Sequence, residues 1–479
     1  MAPLSAWLPA RSNQDFDLVV KIVGNGAAGL IDEFATIGQT LIDQGLEVMA
    51  QAGRFHGESG ELTFLLRLAS SPFYSMGHGY NILVYLGDEI PLFQEFGLQR
   101  GSVVVWEPPE QHRLLPVMPE GVIAYPVPFK KLTEQDGDGV AARGFVAMGV
   151  LFHLLGLSEQ SLWAQRTSLS ARRSIDTGLQ FARRALVKRD IYALPLAEPS
   201  QRRILLNPHR AVMLGFAAGH CGCTVNCDEE LKRSPADWVT EHLAVADRMV
   251  SLLHSDMHPG ACAYRGPQGK VFTLFRGNDS AFQSFVKGHS DPRIFVAADV
   301  PDALQLLVGG HRLIRNNLAD VVGVVIEDGL AARHQSVAVG CLAEAIRSRK
   351  TTLRKVRTYD PPPCRSVTAE YDGTYGAEVG YVAWGPAQGV VRDAITLCRS
   401  FGLNVAALYP KVVLPFPVNE LESFARTVKR VVIVESNWTN RFADHVRTSC
   451  SFDIMIVSPE PGRVLTPMDI FLREGLGAC

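Results

Sequence analysis

The 479-residue chain contains no run of about 18 consecutive apolar residues, the length a membrane-crossing helix needs, so no membrane span is expected. It lacks a charge excess of either sign: 47 Lys and Arg stand against 49 Asp and Glu, a net charge of −2. A dedicated nucleic-acid binder normally carries a clear basic surplus, so none is read here. The stretch from Met1 to Asp17 has no basic flank followed by an apolar run, and no signal peptide is expected. Repeats of solenoid length and low-complexity segments are missing. No Ser-His-Asp order and no HExxH pattern stands out. Cysteine is sparse and odd in number, nine in all, which reads as reduced thiols in a cytoplasm. What is present is ordinary globular material, 47% hydrophobic and 20% charged, enough apolar surface to offset chain entropy. At ~100–200 residues per domain the length suggests about three domains.

Periodicity divides the chain. In a first region, about Asp15 to Val187, strand-like runs at Asp17–Val23, Leu46–Ala50, Leu62–Leu68, Tyr80–Leu86 and Ser102–Trp106 accompany helical spacing from Leu30 to Gln44. Helical stretches Gly144–Leu155 and Leu169–Leu186 follow, then a basic, proline-containing linker from Lys188 to Arg203. A second region, about Leu205 to Val339, ends in strand Arg293–Ala297, helix Pro301–Arg315 and strand Asp320–Glu327. Asp360 to Pro363 marks another linker. The third region, about Ala377 to Leu476, alternates strands Gly380–Trp384, Leu403–Leu408 and Arg430–Glu435 with helices. Alternation of this kind predicts α/β architecture with mostly parallel sheets.

Three constellations bear on chemistry. Gly24-x-Gly26-x-x-Gly29 lies between a strand and a helix, where glycines let a phosphate approach the backbone and the helix N-terminus offers free N–H groups. A dinucleotide fold would end its second strand in a carboxylate for the ribose; here that strand runs Val48 to Ala52 without one, which disfavours NAD. A tight turn without ligand explains the loop equally. Cys221-x-Cys223-x-x-x-Cys227 places three thiols within seven residues, able to ligate a metal or an iron–sulfur cluster with His220, His254 or Cys262 as a fourth ligand. Three buried reduced thiols are the other reading, since the spacing lacks a CxxC pair. Arg183, Arg184, Lys188 and Arg189 form a basic run that suits a solvated helix end.

The stretch from Ala52 through Arg54, His56, Gly57 and Glu58 to Arg67, taken with Gly24, Asn25, Gly26 and Gly29, resembles the γ domain of the 2-oxoacid:ferredoxin oxidoreductases. Arg143 to Gly149, then Gly156-Leu157, is similar to the helix that closes that domain. Trp384 to Ala394, Leu414 to Pro417, Glu435 to Asn437, and Gly462 with Thr466-Pro467 resemble the transketolase-C-like domain of the same family. The order resembles a γ–α fusion. The implied domains are γ-like (15–187), a shortened thiamine-pyrimidine-like domain (205–339) and transketolase-C-like (377–476).

The middle domain departs from the family pattern. Cys221 to Cys227 stands where a Tyr-Pro-Ile-Thr element belongs, Asp247 is the nearest carboxylate to the thiamine position, and Thr273 with Gly277 is what remains of a Thr-Ser-Gly-Pro-Gly turn. The resemblance therefore implies a subunit of a 2-oxoacid:acceptor oxidoreductase that gives the coenzyme A side and an interface rather than a full thiamine site. It implies thiamine diphosphate and a 4Fe-4S cluster in a partner β subunit, coenzyme A as substrate, and ferredoxin or another acceptor. An intact α subunit is a further implied partner. The alternative is a non-catalytic scaffold or metal-binding pseudo-subunit. For the oxidoreductase reading the resemblance implies Gly24, Asn25, Gly26, Gly29, Arg54 and Gly57 as cofactor-binding residues, with Asp247 and Thr273 as catalytic candidates. Coenzyme A phosphates are the alternative partner of the basic run.

Overall fold

The computed structural model describes residues 16–54, 62–77, 79–89, 91–109, 116–134, 139–157, 168–195, 203–207, 211, 261–265, 271–276, 292–315, 319–326, 333–338, 369–437, 439–460 and 463–475. The chain divides into two compact units, 1–205 with 334–336, and 206–333 with 337–479.

In the first unit, strand β1 (Asp17–Val23) leads through a short 3-10 turn (Asn25–Ala27) into helix α1 (Ala28–Asp43). Strands β2 (Glu47–Arg54), β3 (Leu62–Ala69), β4 (Ile82–Tyr85), β5 (Val103–Trp106) and β6 (Ile123–Pro126) follow. Helices α2 (Phe129–Thr133), α3 (Gly139–Leu154) and α4 (Leu169–Ala185) complete the run. β7 (Arg203–Leu206) and β12 (Arg333–Ala338) finish an eight-stranded sheet of order β6-β5-β4-β1-β3-β2-β12-β7. β4, β5 and β6 extend from β1 in parallel register. β3 inserts antiparallel between β1 and β2. The second strand is thus no neighbour of the first, and the carboxyl end of β2 lies two strands from the glycine loop. This removes the geometry by which a dinucleotide fold would reach a ribose from that end.

The distant strand β12 is held by polar bonds. Ser336 Oγ accepts from Val48 N at 3.0 Å and donates to Glu47 Oε2 at 2.8 Å. Arg203 forms the second arm on Glu47, Nη1 to Oε2 at 2.6 Å.

α3 is apolar on nearly every side and is buried from Ala142 to Leu154 almost without break. A helix that is apolar all round belongs between two packed layers. One face meets α4 so closely that a Cβ on Gly149 would stand 2.1 Å from Ile175 O, and one on Gly178 2.0 Å from Val146 O. α4 starts at Ser168, whose hydroxyl accepts from Ala171 N at 3.3 Å and caps the first turn.

The second unit holds two five-stranded sheets. One has the order β16-β10-β11-β9-β8, from β8 (Ala261–Arg265), β9 (Val271–Arg276), β10 (Arg293–Val296), β11 (Val321–Ile326) and β16 (Val412–Leu414). β9, β11 and β10 are parallel, and helix α5 (Val300–Arg315) connects β10 to β11. The other sheet has the order β13-β15-β14-β17-β18, from β13 (Ala369–Asp372), β14 (Ala377–Ala383), β15 (Val405–Pro410), β17 (Val428–Val434) and β18 (Ile454–Val457). Its helices are α6 (Ala387–Ser400), α7 (Val418–Ala425), α8 (Arg441–Ser449) and α9 (Pro467–Gly475). The expected α/β class with mostly parallel sheets is what the protein has. No helix among the described residues is long and apolar enough to cross a membrane.

Candidate functional site

The parallel strands β1, β4, β5 and β6 end on one edge of the first sheet, at Val23, Tyr85, Trp106 and Pro126. Open α/β sheets bind ligands outside such carboxyl ends. Gly24 opens the first loop with φ +119°, and a Cβ there would lie 2.7 Å from Gly87 N. Only glycine lets the end of β4 approach β1 this closely. Gly24 N donates to Leu62 O of β3 at 2.9 Å and Ala27 N to Gly24 O at 3.0 Å, so one amide is spent on the neighbouring strand and the other inside the loop. Asn25 is exposed.

Helix α3 covers the rest of the loop. A Cβ on Gly26 would meet Val140 O at 3.1 Å, and one on Gly144 would meet Gly26 O at 2.2 Å. Gly26 and Gly144 thus serve helix-on-loop packing, and Gly29 lies in the first turn of α1.

Four charged residues stand around this corner. Asp88 accepts from Arg143 Nη1 at 3.0 Å and pairs with Lys130 Nζ at 3.2 Å. The hydrogen bond from Lys130, helped by that from Arg143, holds the Asp88 carboxyl below its usual range. Glu107 accepts from Lys130 N with both oxygens, at 3.1 and 3.2 Å. Burial pushes its carboxyl up against those bonds. Two carboxylates at one strand edge are therefore driven in opposite directions by their surroundings. Arg143 Nε is buried and makes no hydrogen bond among the described residues. The corner holds two cations, both paired with Asp88, and can exchange that acid for an incoming anion. Asp88, Glu107 and Lys130 escape a motif search. Their signal is positional: Glu107 directly follows β5, Asp88 stands three residues past β4, and Lys130 is the second residue of α2.

The basic run resolves differently. Lys188 Nζ donates to Leu154 O at 2.5 Å, Asp190 Oδ1 at 2.6 Å and Tyr192 O at 2.6 Å. Tyr125 donates its hydroxyl to the buried Asp190 Oδ2 at 2.7 Å and accepts from Arg189 N at 2.6 Å. The segment after α4 is a staple onto β6 and α3, and Lys188 is occupied in it.

In the C-terminal sheet, Glu435 is fully buried just past β17. It accepts from Ala443 N at 2.8 Å and from Asn437 Nδ2 at 3.1 Å. Burial raises its pKa, and the bonds from the start of α8 oppose that rise. Asn437 Oδ1 accepts from Thr439 N at 3.1 Å. Glu435 and Asn437 thus shape the entry of α8. Trp384 stacks on Phe442 at 5.4 Å between centroids, and Phe416 packs beside Phe442 at 5.7 Å.

Several candidates lie outside the described residues: His56, Gly57 and Glu58, Asp247, and Cys221, Cys223 and Cys227 with His220 and His254. Arg54 ends β2, and Thr273 pairs with Gly323 of β11 and Ala263 of β8; their backbones are placed and their side chains are outside the description. Among the described residues no group of three or more His, Cys, Asp or Glu is placed to hold a metal ion.

Residues 377–470 match the family described as pyruvate:ferredoxin oxidoreductase core domain II. A 2-oxoglutarate:ferredoxin oxidoreductase from Magnetococcus marinus, solved with 2-oxoglutarate, coenzyme A and succinyl-CoA bound, aligns over 97% of this chain and 100% of its own, with TM-score 0.69 and 19% identity. The γ subunit of a keto/oxoacid ferredoxin oxidoreductase from Geobacter sulfurreducens PCA covers 36% of this chain and 98% of its own, with TM-score 0.28 and 15% identity. No curated protein matches the sequence.

Proposed function

We propose, on the premise that this chain belongs with the 2-oxoacid:ferredoxin oxidoreductases in its fold and in its core domain II, that it is a subunit of a 2-oxoacid:acceptor oxidoreductase complex. The observation that carries the reading is the shared fold along the whole length of both chains. In the complete assembly the bond between carbonyl and carboxylate of a 2-oxoacid breaks and CO2 leaves. The electron pair passes through iron–sulfur clusters to ferredoxin or another acceptor, and the acyl group goes to the coenzyme A thiol.

Within that reaction the γ-like domain (15–187) is proposed to face coenzyme A. Lys130 and Arg143 would trade Asp88 for phosphate oxygens, and Asn25 would contact the ligand from the loop. The shortened middle domain (205–339) and the transketolase-C-like domain (377–476) are proposed to form the subunit interface. Thiamine diphosphate, bound to a β subunit that also holds a 4Fe-4S cluster, supplies carbanion chemistry when present. The carboxylate that would drive it from this side is Asp247 at best, and no step is assigned to this chain through it. The cysteines Cys221, Cys223 and Cys227 are proposed as a metal site separate from turnover.

A second reading, a scaffold without a catalytic part, is favoured by one observation: α3 fills the space over the glycine loop. The discriminating experiment isolates the complex through a tag on this chain. It then measures coenzyme A binding, metal content and 2-oxoacid-dependent reduction of a viologen dye. The proposal expects a co-purifying β subunit, coenzyme A binding weakened about tenfold by Arg143→Gln, and turnover. A complex that turns over yet binds coenzyme A equally with Arg143→Gln leaves the scaffold reading standing.

A further inference from the structure

A cavity of about 330 Å³ lies in the second unit, beside the amino end of β10 and under the turn from Pro415 to Pro417. Small-molecule sites begin at roughly this size, ~300 Å³. Arg293 and Phe295 alternate on β10 and so share one face of the strand. Val412 of β16 stands opposite Phe295 in the ladder, and Leu313 reaches in from α5. Phe295, Leu313 and Val412 are almost fully buried. Phe416 closes the wall from the turn, and Glu420 lines it from the first turn of α7.

The polar lining is unusual in its bookkeeping. Arg293 and Glu420 line one cavity, are each half-buried, and their side chains make no hydrogen bond or ion pair with each other or with any other described residue. A folded chain ordinarily closes such a pair or leaves each charge in water, because a charge facing an apolar wall is costly until it is paired. Two opposite charges that line one apolar cavity without pairing fit a ligand that carries both complementary charges and an apolar body. We propose that this cavity binds a free apolar α-amino acid as its zwitterion. The Arg293 guanidinium takes the carboxylate, whose planar fork it matches. Glu420 takes the ammonium group. The side chain lies on Phe295, Leu313, Val412 and Phe416. A carboxylic acid without the amine would leave Glu420 unpaired and repelling it, and an amine without the acid would leave Arg293 unpaired. The site stands apart from the coenzyme A reading of the glycine corner and does not depend on it.

Isothermal titration of the full-length protein, in its purified complex, tests this with L-leucine and L-phenylalanine. Beside them go isocaproate and hydrocinnamate, which lack the amine, and isoamylamine and phenethylamine, which lack the acid. The amino acids are expected to bind about tenfold or more tighter than either kind of analogue. Arg293→Gln and Glu420→Gln are each expected to bring the amino acid down to the level of the matching analogue. Val412→Phe, which fills the floor, is expected to remove binding altogether. Glu420→Gln is close to isosteric and keeps the experiment readable should Val412→Phe not fold. Binding of isocaproate as tight as that of leucine, affinity unchanged by Arg293→Gln, or no heat from either amino acid overturns the proposal.

Discussion

Gly144 of α3 lies against Gly26 of the glycine loop, so close that a methyl group at position 144 would stand 2.2 Å from the Gly26 carbonyl oxygen. Alanine normally stabilises a helix interior by ~1 kcal/mol over glycine. Here the contact is with backbone and cannot be relieved by turning a side chain. Gly144→Ala is therefore expected to destabilise the protein by about 1–3 kcal/mol, the range for forced overpacking. Gly139→Ala, in the same helix, meets nothing nearer than Thr133 O at 3.6 Å and is expected to stay within ~0.5 kcal/mol of the parent. Thermal melts of the two variants side by side check this.

Lys188 offers a test of what the basic run is for. Its ammonium is shared among two carbonyl oxygens and the carboxylate of Asp190, whose side chain is only 1% exposed. Lys188→Ala leaves that acid buried with fewer donors, a loss expected to cost about 1–3 kcal/mol. Coenzyme A affinity should stay unchanged once the variant is compared at a temperature where it is folded. Arg184→Ala, at an exposed position of α4, should alter neither stability nor affinity. A fall in affinity with stability intact would return the run to a role as phosphate ligand.

The strands that read clearly from sequence are those buried on both faces. Val103–Trp106 and Val321–Ile326 are continuous runs of β-branched and apolar residues and are buried throughout. β12 reads Arg-His-Gln-Ser-Val-Ala, and nothing in that string announces a strand. It is a strand because Ser336 bonds to Val48 and Glu47, nearly 290 positions away, a contact no local pattern carries. β13 is passed over when the third region is begun at Ala377, since an edge strand of sequence Ala-Glu-Tyr-Asp looks like loop. The same division runs through the site. The glycine loop is legible because its spacing is local. Its surrounding charges are single residues at the ends of separate strands and helices, and the sheet order alone brings them together. That order also explains why a missing carboxylate at the carboxyl end of β2 has no bearing on the loop: β3 separates the two strands.

Asp299 gives the expected pH dependence. It is half-buried just before α5, and it accepts from Asp302 N at 2.7 Å. Burial first, and the neighbouring Asp302 charge second, raise its pKa, while Lys411 and Arg392 oppose the rise. An acid whose folded pKa is raised holds its proton after the unfolded chain has released its own. The unfolded state then binds fewer protons, and stability falls as pH climbs from the ordinary aspartate value, 3.8, through the raised one. Asp299→Asn keeps the acceptor for Asp302 N and removes the titration. The variant is expected to lose that part of the slope and to gain on the parent as pH approaches neutrality. Urea midpoints measured across the acidic to neutral range decide it; parallel curves would show that the Asp299 carboxyl titrates alike in the folded and the unfolded chain.

Lys411 is the hub of the same network. Its Nζ pairs with Asp302 Oδ1 at 2.5 Å and reaches Glu370 Oε2 at 3.7 Å, and Arg392 pairs with the same Glu370 oxygen at 2.9 Å. The Lys411 and Asp302 side chains are 15% and 7% exposed, so solvent screens the pair little. Asp302 and its near neighbours pull the Lys411 pKa above its usual value although burial works against it. Removing one member of a buried pair strands the other, and the cost is larger than the pair's own net contribution. Lys411→Met is expected to cost about 3–5 kcal/mol in urea unfolding. Adding Asp302→Asn to it should recover part of that loss, because the stranded charge is then gone. The recovery separates the two accounts of the network. If the double variant is as unstable as the sum of the singles, the lysine acts through the packing of its aliphatic stem, and the charges carry no coupling.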